Sequence, residues 1–152
     1  MLDVEVRPWI ESRREERSPG GRLLPFRVLL FGLTVPLLLR LKLERLASRL
    51  EPAAVPPPPA DPGAAEALAR RIDFWLKAWR PLVRAGCLTR GITQYRFLRR
   101  AGFDVSLRFG IGELKGDLDG HCWIVKDGEP FLEKRDPRPL YSETYRIPWK
   151  PQ

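Results

Sequence analysis

Gly86-Cys87-Leu88-Thr89-Arg90-Gly91-Ile92-Thr93-Gln94-Tyr95-Arg96-Phe97-Leu98-Arg99-Arg100-Ala101-Gly102-Phe103-Asp104-Val105-Ser106-Leu107-Arg108-Phe109-Gly110-Ile111 changes period at its centre. In the first part Leu88, Ile92, Tyr95 and Leu98 recur at helical spacing, with Cys87, Gly91 and Gln94 beside that face. Gly102 follows where helices commonly close on a left-handed residue. From Phe103 to Ile111 every odd position is apolar, the two-residue period of a half-buried strand. A second strand-like run, His121-Cys122-Trp123-Ile124-Val125-Lys126, ends at the turn signal Asp127-Gly128. Between the two runs, Gly112 to Gly120 carries three glycines and four charged residues and reads as a surface loop leading into His121. The order helix, strand, strand, strand behind a helical N-terminal half predicts an α+β fold with a small antiparallel sheet.

Upstream, residues 1–22 are charge-dense and read as a flexible tail. Residues 23–63 hold an apolar segment and a connector. The uncharged run between Arg27 and Arg40 spans about a dozen residues, short of the roughly twenty that cross a bilayer, and contains Pro36. A buried or interfacial helix pair kinked at Pro36 is expected, with peripheral membrane contact through the flanking arginines as a second use. Pro52, Pro56-Pro57-Pro58-Pro59 and Pro62 make an extended, stiff spacer. Asp61-Pro62 then reads as N-cap and first residue of a helix whose Leu68, Ile72, Trp75 or Leu76, and Trp79 face a core, with Pro81 ending it. Residues 64–136 form the core domain, and 137–152 a C-terminal extension that matches no recognisable pattern.

The chain has 152 residues, enough for one domain with a real core, and its 43% hydrophobic content with five tryptophans and seven phenylalanines is globular. A net charge of +8 suggests an acidic peptide, a partner protein or an anionic surface. Zinc-ligand spacing, an aromatic RNA-binding motif and a basic zipper are all missing from the sequence, so no nucleic-acid partner is expected. Two cysteines build no disulfide framework, and no basic-then-apolar signal opens the chain; a reducing, cytoplasmic setting follows.

That setting suits a working thiol. Cys87 opens a helix, where the positive end of the backbone dipole favours a thiolate, and His121 is the only histidine. A thiol at a helix start and an imidazole on a following strand are the parts of a papain- or transglutaminase-like site. Asp127, Glu129, Glu133 and Asp136 are candidates to orient the imidazole. A three-residue loop, Lys126-Asp127-Gly128, pairs Val125 with Glu129 and His121 with Glu133, which puts carboxylate beside imidazole. A two-residue Asp127-Gly128 loop pairs His121 with Lys134 instead and turns Glu133 away. The first register is preferred, making Glu133 the acid and Asp136 the alternative. Cys122 points away from His121, into the core. Arg90, one turn past Cys87, and Trp123 are candidates for positioning substrate. One histidine and two scattered cysteines fill no zinc shell, and no phosphate-binding glycine loop is present, so neither metal nor cofactor is expected.

Cys87-Leu88-Thr89-Arg90 with Phe97-Leu98-Arg99-Arg100-Ala101-Gly102-Phe103-Asp104-Val105 resembles the C-L-x-R…L-L-R-R-x-G block of lasso-peptide leader peptidases, which are transglutaminase-like cysteine peptidases. His121-Cys122-Trp123-Ile124-Val125-Lys126-Asp127-Gly128-Glu129-Pro130 resembles their H-A-W-V-E-x-D-G-x-P block. The resemblance covers about residues 86–135 and implies Cys87 as nucleophile, His121 as base and Glu133, where the family usually has aspartate, as acid. The chain departs from the pattern at Gly91, where many relatives have serine, and at Cys122, where they have alanine. The resemblance further implies cleavage of a ribosomally made precursor peptide in lasso-peptide maturation, with a separate leader-recognition protein and a cyclase as partners. The other reading is a non-catalytic adaptor that binds a partner or membrane through its basic, apolar N-terminal half.

Overall fold

The computed structural model describes residues 21–148. All but the end of the charged tail expected over residues 1–22 lies outside them. Four helices precede the sheet: α1 (Leu24–Leu38), α2 (Leu43–Leu50), α3 (Ala64–Ala78) and α4 (Cys87–Arg100). The strands are β1 (Val105–Leu114), β2 (Asp117–Lys126), β3 (Glu129–Pro130) and β4 (Ser142–Ile147), in the spatial order β3-β2-β1-β4 with every pair antiparallel. This is the α+β architecture that the change of period predicts.

Helix α4 is the centre of the molecule. Ile92, Tyr95 and Leu98 are fully buried between the inner face of the sheet (Val105, Leu107, Ile124) and the other helices, which contribute Leu24 and Val28, Leu46 and Leu50, and Leu68, Ile72 and Leu76. The expected face is rotated at its start: Leu88 is exposed, and Thr89, Thr93 and Gln94 are buried instead. Helix α4 ends as expected. Gly102 has φ +93°, the Phe103 N–H donates to the Leu98 carbonyl and the Gly102 N–H to the Arg99 carbonyl, the paired bonds of a glycine-closed helix. The polyproline connector passes directly over this cap, so that a Cβ on Gly102 would lie 2.5 Å from the Pro56 carbonyl oxygen.

Three expectations are corrected. Helix α1 does not break at Pro36; it carries that proline in its last turn, and the separation from α2 comes at residues 39–42. A proline near a helix end costs one hydrogen bond and no interior register, so the chain turns only after Leu39 N–H has bonded the Val35 carbonyl. Gly112 to Gly120 is not a loop. β1 and β2 pair across it, from Gly112↔Asp119 to Leu114↔Asp117, and close on Lys115 and Gly116 with φ of +54° and +86°. Of its three glycines only Gly112 serves close approach, since a Cβ there would lie 2.1 Å from the Leu140 carbonyl oxygen. The three-residue hairpin loop is also overturned. Asp127 and Gly128 both have positive φ, and the register is Val125↔Pro130 and Lys126↔Glu129, a two-residue turn whose twist matches its strands.

Past residue 136 the chain returns to the sheet. β4 runs along β1, with Leu107↔Ile147 and Phe109↔Tyr145 in register and a shift after Phe109. Its Ile147 is fully buried, so this last segment and the N-terminal helices share one core with α3, α4 and the hairpin. Among the described residues no helix is long and apolar enough to cross a membrane.

Candidate active site

Cys87 is the first residue of α4. Gly86 before it is extended and brings no side chain to cap the helix, so the first-turn N–H groups point outward around an exposed thiol. That thiol is lowered from its ordinary 9.0 to about 5. The hydrogen bond from the Cys122 thiol is the largest cause; partial burial opposes it, and a hydrogen bond from His121, a backbone bond from Cys122 and the charge of His121 add to it.

Cys122 is therefore more than filler. It is buried, as expected of a residue facing away from His121, but its Sγ lies 3.0 Å from the Cys87 carbonyl oxygen, so its S–H has both that oxygen and the Cys87 sulfur to donate to. The bond to Cys87, together with burial, pushes the Cys122 thiol far above the usual range and keeps it a donor. Space for this sulfur comes from Gly91, one turn along α4. A Cβ there would lie 2.8 Å from Cys122 Sγ and 3.1 Å from Leu107 Cδ1. The two departures from the peptidase pattern, Gly91 and Cys122, thus touch one another: volume gained on the strand is volume given up on the helix.

His121 sits opposite Gly110 of β1. Its ring stacks at 16° on Trp123, with centroids 6.0 Å apart, and lies 5.1 Å from the ring of Tyr141, whose hydroxyl donates to Asp119 Oδ2 at 2.8 Å. Gly110 is the floor of this cluster, since a Cβ would come within 3.0 Å of both Trp123 and Tyr141. Trp123 itself is only 3% exposed, which leaves it supporting the imidazole and not lining a surface for substrate.

Glu133 reaches His121 although the register expected to bring it there is wrong. After the two-residue β3, the Phe131 N–H still bonds the Ile124 carbonyl; Leu132 then takes φ +55° and turns the chain back over the strand. Glu133 Oε2 ends 3.2 Å from His121 Nε2. Its other oxygen accepts from Arg90 Nη1 at 2.9 Å, and Arg90 Nη2 donates to the Leu132 carbonyl at 3.1 Å. Arg90 is in turn braced by Asp73 of α3, whose Oδ1 lies 3.1 Å from Arg90 Nε and 2.7 Å from Nε2 of the buried Gln94. Burial works against the guanidinium, but Asp73 and Glu133 outweigh it and hold Arg90 charged. With each nitrogen of its head group bonded, Arg90 anchors Glu133. Asp136, the alternative acid, is exposed and bound to Arg138 at 2.7 Å, away from the imidazole.

Sequence reading missed Asp73 and Tyr141. Asp73 stands 17 residues before Arg90 in a helix read only for its apolar stripe, and Tyr141 lies in the stretch assigned to an extension. Among the described residues no three His, Cys, Asp or Glu side chains gather as a metal shell would need. The arrangement is a thiol lowered in part by an imidazole, and a carboxylate 3.2 Å from the Nε2 of that imidazole: the chemistry of nucleophilic attack with proton shuttling.

No curated protein and no solved structure matches the chain. Residues 31–146 match the family model described as the transglutaminase-like superfamily, a span that takes in α2 to α4, all four strands but the last residue of β4, and each residue of the site. On that match, which covers more than half of its length, the chain belongs to the transglutaminase-like superfamily.

Proposed function

We propose that the protein is a cysteine peptidase that removes the leader from a ribosomally made precursor peptide in lasso-peptide maturation. The observation that carries the peptidase reading is the Cys87 thiol at the start of α4, lowered to about 5 in part by the imidazole that Glu133 holds through Nε2. The lasso assignment rests on the sequence blocks around Cys87 and His121.

In this reading the Cys87 thiolate attacks the scissile carbonyl, and the Cys87 N–H at the uncapped helix start receives the developing oxyanion. With Nε2 bonded to Glu133, His121 presents Nδ1 to the sulfur and gives its proton to the leaving amine. The thioester left on Cys87 is then hydrolysed by a water that His121 deprotonates. Glu133 fixes the ring and balances the imidazolium; Arg90 fixes Glu133. No cofactor enters the scheme. A separate leader-recognition protein would deliver the precursor, and a cyclase would take the released core.

The test is mass spectrometry of a leader-bearing precursor incubated with the purified chain, with and without its recognition protein. One cut at the leader–core junction, abolished by Cys87→Ala and by His121→Ala, is expected. Cleavage that persists in Cys87→Ala would overturn the reading. The adaptor alternative draws on one feature: α1 and the residue before it turn Leu23, Phe26, Leu30 and Leu37 outward, each more than 60% exposed. It predicts partner or vesicle binding that is indifferent to Cys87.

A further inference from the structure

Beside the dyad lies a cleft of about 830 Å³ with His121, Ala85, Glu133 and Tyr141 on its near wall. Its charge is one-sided. Six cationic side chains line it against two carboxylates, a formal +4 with His121 neutral. Both carboxylates, Asp73 and Glu133, are already bound to Arg90. Lys77 and Arg80 from the end of α3, and Lys134 and Arg135 from the segment just after Glu133, are exposed and have no carboxylate partner among the described residues. Of the other two cations in the lining, Arg90 is bound to Asp73 and Glu133, and Arg70 to Glu66. Leu114 and Leu140, both exposed, add apolar surface to the same lining.

We propose that this cleft holds the peptide substrate next to the scissile bond and selects a segment in which carboxylates alternate with apolar side chains. The inference rests on the peptidase reading for its purpose, but binding is separable from cleavage. Charges of one sign on low-dielectric walls focus the field and raise the local concentration of an oppositely charged ligand. The Lys134-Arg135 pair follows directly on the acid that orients His121, so a ligand bound there is held against the imidazole. Apolar side chains in the lining favour a peptide over a uniformly charged polyanion, which has nothing to place against them.

The experiment uses the full chain carrying Cys87→Ala, so that no turnover is needed. A tetramethylrhodamine-labelled peptide of alternating Glu and Leu is compared by fluorescence anisotropy with the same peptide carrying Gln, or Lys, for Glu. Exposed ion pairs contribute little singly, and four acting together should favour the Glu peptide by about tenfold over the Gln peptide at low salt. Lys77→Glu/Arg80→Glu and Lys134→Glu/Arg135→Glu should each abolish that preference, whereas Arg45→Glu/Arg49→Glu, on the exposed side of α2, should leave it in place. Equal affinity for Glu and Gln peptides would overturn the proposal. So would an equal loss from the α2 reversal, or tighter binding of an oligothymidylate of the same charge. A chain that binds the Glu peptide as expected but cleaves no peptide would fail the peptidase reading alone. A chain that cleaves acidic and neutral peptides equally would fail the cleft alone.

Discussion

Replacing Cys122 by alanine takes away the S–H that Cys87 leans on most, along with its bond to the Cys87 carbonyl and the volume of one buried sulfur. A hydrogen bond to a charged group contributes about 1.5–3 kcal/mol, and each pH unit of titration midpoint is about 1.4 kcal/mol. The Cys87 midpoint should therefore rise by about one to two pH units from its starting value of about 5. The assay is the pH dependence of iodoacetamide alkylation, read on Cys87 by peptide mapping; in the variant Cys87 is the only cysteine left. In wild type the rate should climb through about pH 5 and level off, since the thiolate is the reacting form. In the variant the climb comes later; at pH 6 a rise of about one and a half units leaves roughly fourfold less thiolate, offset by the greater nucleophilicity of a more basic thiolate, so the two rates are similar there. Above pH 8 the variant is the faster. A more basic thiolate is intrinsically more nucleophilic, and the plateau should be about 3–10-fold higher. Cys122→Ser, which restores a donor, should bring the midpoint back down. An unchanged midpoint in Cys122→Ala would refute the reasoning and leave His121 as the sole source of the lowering.

Other outcomes follow from the same geometry. Gly91→Ala should destabilise the fold by about 1–3 kcal/mol in urea titrations, by forcing a methyl against Cys122 Sγ, and Gly91→Ala/Cys122→Ala should recover at least half of that; strict additivity would refute the packing argument. Glu133→Ala should lower kcat for precursor cleavage by about a hundredfold with the fold intact by circular dichroism, and Glu133→Asp should retain more activity than Glu133→Ala. Arg90→Ala should lower kcat in the same sense and also the melting temperature, since Asp73 and Glu133 lose their shared partner; an unchanged melting temperature would count against the brace. Because folding favours the Cys87 thiolate, that residue supports the fold fully above about pH 9, its ordinary 9.0, and loses that support as pH falls through about 5. Cys87→Ser should accordingly show a flatter dependence of melting temperature on pH across that window.

How far the sequence carries depends on which forces are local. The helix–strand boundary at Gly102 is legible because only glycine takes that φ without strain and because the apolar period changes at the same place. Cys87 and His121 are legible for a similar reason: each chemistry-bearing residue opens a patterned element. Glu133 was chosen for its reach from His121, but through a register the hairpin does not adopt. Its true route depends on the left-handed Leu132, whose carbonyl is held by Arg90 from 42 residues away, and no local pattern encodes that. Gly112 looks like a loop residue because what it makes room for, Leu140 and Tyr141, is distant in sequence. β4 escapes notice because Ser142-Glu143-Thr144-Tyr145-Arg146 is the polar dress of an edge strand. The same wrapping conceals Cys122: its partner on α4 is visible only once helix and sheet are packed.

Cys87 and Arg90 lie one turn apart on α4, so nucleophile and acid are both gauged from a single rod, the acid through the arginine's grip on Glu133. The imidazole is gauged from the sheet. A small slide of the rod across the sheet would part sulfur from imidazole while carrying the carboxylate along with the sulfur. The machinery has one seam, and it runs between His121 and everything else.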